Sequence, residues 1–214
     1  MEKARVYLFL ALMGLLASCA GKIQYLPPVG TVQSHNSIKI NMSKERLWKR
    51  IIPALARSFF VINNLDKDSG IINVSYSGDP EKYVDCGRIK SYVRNLRGER
   101  TYDFSASKAN QQYEAMDKRS GALYFLERQM SLEGRINIIV EEISANECKI
   151  TVNTKYVLTK SISIKQAGGG LTRHRTNTIS FVTGQTAKFP SGTICRPNGI
   201  LESEILSILQ SAVK

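Results

Sequence analysis

Histidine is almost missing from this chain of 214 residues. Only His35 and His174 occur, neither in a metal-ligand spacing, and no H-E-x-x-H is present. No C-x-x-C occurs, which removes the dithiol of a thioredoxin-type redox role. No G-x-S-x-G occurs either. Ser105-Ala106-Ser107-Lys108 and Ser211-Ala212-Val213-Lys214 match S-x-x-K, but the K-T-G that completes a serine acylase is absent. Gly168-Gly169-Gly170 lacks the Gly-Lys-Ser/Thr of a phosphate loop and reads as a turn. The adjacent Glu141 and Glu142 point to opposite faces of a strand and form no acid–base pair. Asp79 and Asp85 read as solvated turn residues. These gaps leave no catalytic residues, no cofactor and no metal site to expect, so the chain is read as a non-enzyme. Acids are scarce as well, 18 Asp+Glu against 30 Lys+Arg. No apolar run approaches the roughly 20 residues a membrane helix needs.

The longest apolar run, Val6 to Leu16, follows the positive residues Lys3 and Arg5 and leads into Leu16-Ala17-Ser18-Cys19. This is the layout of an exported leader, and its end resembles the lipobox of bacterial lipoproteins. The resemblance implies that residues 1–18 are a signal peptide. It also implies that the mature chain starts at lipidated Cys19, whose acyl chains hold it on a membrane. Ala20 stands where an aspartate commonly retains such proteins at the inner membrane. The implied address is the outer membrane of a Gram-negative envelope, with the domain facing the periplasm.

Without residues 1–18 the chain keeps 196 residues, with 28 Lys+Arg and 17 Asp+Glu. Behind a lipid anchor, a net charge of +11 points to anionic headgroups, envelope polymers or acidic protein surfaces rather than nucleic acid. Arg88, Lys90, Arg94, Arg97 and Arg100 fall within thirteen residues that hold one acid, Glu99. They read either as a solvated face or as a patch for an anionic partner. Lys118-Arg119 and Arg173-His174-Arg175 are smaller groups. Of the cysteines left after Cys19, Cys148 alternates in phase with Ile150 and Val152 and reads as a core thiol. Cys86 and Cys195 sit in turn-like surroundings and are the expected disulfide of an exported protein.

Residues 19–36, with Pro27, Pro28 and Gly30, read as a lipidated tether, and residues 37–214 as one domain. A short strand at 37–41 precedes a helix from Ser43, striped by Leu47, Trp48, Ile51, Ile52, Leu55 and Phe59 and interrupted by Pro53. Residues 60–65 and 71–76 read as a hairpin, 77–98 as a long loop, 101–107 as a strand and 109–122 as a loop or short surface helix. Cys148, Ile150, Val152, Tyr156, Leu158, Ile162 and Ile164 share one parity, which predicts a long strand with one buried face. Residues 176–183 return antiparallel. Leu201, Ile205, Leu206, Leu209 and Val213 stripe a C-terminal helix. The expected fold class is α+β: an antiparallel sheet with an N-terminal and a long C-terminal helix packed on one face.

That element order is similar to the helix-grip domains found in one lipoprotein of the outer-membrane β-barrel assembly machinery. Tyr76-Ser77-Gly78-Asp79-Pro80 and Tyr83-Val84-Asp85-Cys86-Gly87 resemble a signature of exported lipoproteins. The resemblance implies an accessory component of a secretion or barrel-assembly machine, acting through contacts with other envelope proteins. The alternative is a binding module that holds a lipid or cell-wall fragment between the C-terminal helix and the sheet.

Overall fold

The computed structural model describes residues 20–30, 35–170 and 172–213. Cys19 and the leader lie outside them. Among the described residues strand accounts for 57% and helix for 15%, which overturns the expected α+β layer with a long C-terminal helix. The described residues are mostly β, built into several antiparallel sheets and two short helices.

The frame is a pair of long strands. β9 (Leu123–Ser144) and β10 (Glu147–Gln166) form one hairpin on the order of 70 Å long at about 3.3 Å per residue. The period-two pattern of 148–164 is the inner face of β10, where Cys148, Ile150, Val152, Tyr156 and Leu158 are buried. Opposite Ile150, Val152 and Leu158 lie Val140, Ile138 and Leu132 of β9, and Ile136 lies opposite Thr154. Shorter strands share the edges of this hairpin. β2 (Ser37–Ile40) and β11 (Arg173–Val182) divide the β10 edge. β4 (Ile71–Gly78) and β8 (Asn110–Met116) divide the β9 edge, and β3 (Val61–Asp66) lies outside β4.

Neither helix is long enough to cover that face. Helix α1 (Lys44–Ala56) has 13 residues and α2 (Ile200–Ser211) has 12, about 18 Å of axis. They seal the half nearer the β9–β10 turn with Leu47, Ile51, Leu55, Leu201, Ile205 and Leu209, all fully buried. A buried carboxylate, Glu202, ties α2 to the sheet through Tyr156 and Thr183.

The other half is covered by a second sheet in the order β1 (Ala20–Leu26), β6 (Arg88–Asn95), β7 (Gly98–Ser105). The expected tether is therefore strand as far as Leu26, and the expected long loop contains β6. The 109–122 stretch contains strand β8 rather than a helix. A third small sheet, β12 (Ala187–Lys188), β13 (Ile194–Pro197) and β5 (Val84–Asp85), bridges the two halves. There Cys86 and Cys195 form a disulfide, Sγ–Sγ 2.04 Å. Cys148 is a buried free thiol that donates to the Met42 carbonyl at 3.3 Å. Gly87, at φ 76°, packs against the backbone of Leu26, which brings the end of β1 down on the disulfide-bonded turn.

Candidate functional site

The five bases of the expected patch do not share a surface. Cross-strand partners lie on one side of a sheet. Arg88, Lys90 and Arg94 of β6 therefore face the same way as Ser105, Asp103 and Glu99 of β7, their register partners. Three of these bases are ion-paired there. Arg88 and Lys90 reach Asp103 at 2.8 and 3.4 Å, and Arg94 reaches Glu99 at 3.5 Å. Despite the partial burial that opposes it, Arg88 and Lys90 hold the Asp103 carboxyl below the usual carboxylate range. Arg100 is on the other face, half-buried, and pairs with Glu114 of β8 at 2.7 Å. Only Arg97, in the β6–β7 turn, has no ion-pair partner among the described residues.

The pairing of strands assembles a different basic surface. Ala20, the first described residue of β1, lies opposite Arg94, beside the β6–β7 turn. Gly21 packs on Met116, the last residue of β8. The 117–122 turn follows, closed by hydrogen bonds between Asp117 and Ala122 and between Gly121 and Asp117. The next residue, Leu123, accepts a hydrogen bond from Ala167 at the start of the β10–β11 connection. Three chain reversals and the N-terminal end of β1 thus share one pole. It carries Arg97, Lys118, Arg119, Lys165, Arg173 and Arg175, all exposed and none ion-paired among the described residues. Beside them, Asp117 is held ionised, and below the usual carboxylate range, by the backbone and hydroxyl of Ser120 and the backbone of Arg119. Leu96 projects from the same pole, 86% exposed.

The opposite pole is mixed in charge. Lys39 pairs with Glu147 there, and Lys67 and Lys49 both pair with Glu45. The three basic groups visible along the sequence therefore end at one pole of the fold, except for the ion-paired members of the first.

Comparison with known protein families, with curated proteins and with solved structures finds no match to this chain.

Other candidate features resolve into structure. Tyr76 and Tyr83 pack edge to face at 4.9 Å, and the Tyr83 hydroxyl donates to Glu204. Asp79 caps the short 3-10 turn Pro80–Lys82, and Asp85 accepts from Arg196 and from the Gly87 backbone. Ser105 and Ser107 bond each other at 2.8 Å. No set of three His, Cys, Asp or Glu among the described residues is placed to hold a metal, and no helix there is long and apolar enough to cross a membrane. The expected helix-over-sheet cleft is filled by the fully buried Leu201, Ile205 and Leu209.

One further surface is unusual. Phe59, Val61 and Leu65 are exposed by 57, 61 and 43% at the edge strand β3. This strand pairs on one side only, with β4. In register, Val61 lies level with Ser75 and Arg135, twelve residues along β9 from the basic pole, about 40 Å.

Proposed function

We propose that this chain is a lipid-anchored accessory protein of a Gram-negative outer membrane, without chemistry of its own. It serves a secretion or barrel-assembly type machine by holding a protein-binding edge at a set height above the bilayer. The observation that carries this reading is the position of Ala20. Residue 20 is already strand, so an acylated Cys19 stands one Cα–Cα step, about 3.8 Å, from the folded domain. The end it joins is the pole that carries six bases without an ion-pair partner among the described residues.

A basic surface within a Debye length of about 8 Å of anionic headgroups is attracted to them, each base contributing roughly 1 kcal/mol. The pole therefore rests on the membrane and the long hairpin stands away from it. Edge strand β3 is then free for a protein partner. An exposed strand edge with apolar side chains offers both backbone hydrogen bonds and a hydrophobic contact.

The test is purification of the full-length protein from gently solubilised membranes, with companions identified by mass spectrometry. Intact mass is expected to show acyl chains on Cys19. A defined companion set is expected with the wild type and is lost with Val61→Lys, while Cys19→Ser releases the protein from the membrane. Recovery of the wild type alone would reject the accessory role, and an unmodified Cys19 would reject the anchor.

A further inference from the structure

Two bases lie inside the protein. Arg128 of β9 is 1% exposed and Lys160 of β10 is 3% exposed. Lys160 faces Met130 and Ile162 faces Arg128, so both bases project from the inner face of adjacent strands, one diagonal apart. Tyr25 of β1, Tyr113 of β8 and the turn between β12 and β13 close over them. The Tyr25 hydroxyl is fixed by the Ile194 backbone, donating at 3.1 Å and accepting at 2.8 Å. Lys160 Nζ donates to Ser191 Oγ at 2.5 Å and lies 4.2 Å from the centre of the Phe189 ring.

The guanidinium of Arg128 is far from satisfied. Its Nη2 donates only to the sulfur of Met130, at 2.8 Å, and its Nη1 has no partner. Five N–H donors on a permanent charge call for oxygen acceptors. No Asp or Glu among the described residues forms an ion pair with either base. The one fully buried carboxylate among the described residues, Glu202, is engaged by Tyr156 and Thr183. Burial, and then the charge of Arg128, pushes the Lys160 ammonium down to about 8, and burial pushes Arg128 down to about 10. Two like charges enclosed together are unfavourable unless an anion joins them.

We propose that Arg128 and Lys160 are the two walls of a binding site for a single phosphate group between the two sheets. A planar fork and a point charge together match a tetrahedral oxyanion. Their two positive charges balance the −1.5 to −2 or so that a phosphate monoester carries at neutral pH. Ser191 and Thr193, whose hydroxyls are 3.4 Å apart beside Lys160, supply further hydrogen bonds. The site takes either inorganic phosphate or the phosphate of a larger envelope molecule. It stands independently of the membrane anchor.

The experiment has two arms on the full-length protein. First, the purified chain is unfolded and its released phosphorus is quantified and identified by mass spectrometry. About one equivalent per chain is expected, and the identity separates free phosphate from a phosphorylated lipid or glycan. Second, melting is followed in inorganic phosphate against chloride at equal ionic strength, after refolding without phosphate. At a hundredfold excess over the dissociation constant the melting temperature is expected to rise by roughly 5–10 °C. Arg128→Met and Lys160→Met are expected to abolish that rise while melting no lower than the phosphate-free wild type. Equal melting in phosphate and chloride, together with no stoichiometric phosphorus, would overturn the site even if both variants failed to fold.

Discussion

Glu202 is the sharpest internal test of how the C-terminal helix is fastened to the long hairpin. It lies in the first turn of α2, fully buried. Its Oε1 accepts from Tyr156 and from Thr183 at 2.8 Å each, and Oε2 accepts from Tyr156 at 2.7 Å. Thr183 Oγ1 in turn accepts from the Thr154 amide at 2.8 Å. The carboxylate therefore fastens α2 to β10 and to the end of β11. Glu202→Ala would leave the buried Tyr156 hydroxyl without its acceptor, at about 1–3 kcal/mol, turn the half-buried Thr183 hydroxyl to the Thr154 carbonyl 3.3 Å away, and remove about two methylenes of packing. Against this stands the relief of a buried charge, reduced here by the favourable field of the helix N-terminus. The expected net loss is about 2–4 kcal/mol for Glu202→Ala and about 1–2 kcal/mol for Glu202→Gln, which keeps one carbonyl acceptor. Urea unfolding followed by circular dichroism measures both. A cycle with Tyr156→Phe should give a coupling of about 1–3 kcal/mol. An increase in stability in Glu202→Ala would refute the reasoning, because the carboxylate would then be a liability rather than a fastening.

Breaking the Cys86–Cys195 bridge should cost about 4–5 kcal/mol, since the cysteines are 109 residues apart and closing so long a loop restricts the unfolded chain strongly. Urea midpoints of Cys86→Ala/Cys195→Ala against wild type check this, and a loss under about 1 kcal/mol would contradict it. In phosphate-free buffer, stability should rise between about pH 8 and 10. The folded Lys160, buried between the sheets one diagonal from Arg128, has shed its proton above about 8, whereas the unfolded lysine holds one up to its ordinary 10.5. Lys160→Met should flatten that rise, and an unchanged slope would assign it to other groups. Above about pH 10 the trend should reverse. Burial, and then Glu202, hold the Tyr156 phenol protonated well beyond its ordinary value of 10.0, so stability is lost as the unfolded tyrosine ionises.

Local patterns were legible along the chain. The parity of Cys148 to Leu158 follows from the alternation of one strand and needs no knowledge of its neighbours. The stripes of α1 and α2 follow likewise from helical spacing. The turn-like settings of Cys86 and Cys195 separated them from the in-phase Cys148. The same pattern carries a second signal: Lys160 interrupts the apolar parity of β10, and Arg128 shares the parity of Met130, Leu132 and Ile136 on β9. A base in the core phase of a strand is enclosed when a second sheet closes over that face, as Arg128 and Lys160 are.

The strands and helices that carry their own periodicity, and which cysteines can bridge, were readable from the chain alone, because these depend on residues a few positions apart. The leader and Cys19 are likewise sequence features, and they lie outside the described structure. That the fold is mostly β emerged only from contacts between distant segments. Strand β1 has little alternation of its own and becomes strand by pairing with β6, some seventy residues on. The same long-range pairings bring the 95–98, 117–122 and 167–170 turns to one pole and close Arg128 and Lys160 between two sheets. Charge in a sequence is only a count. Whether a base is paired, solvated or enclosed is set by strands that meet across the fold.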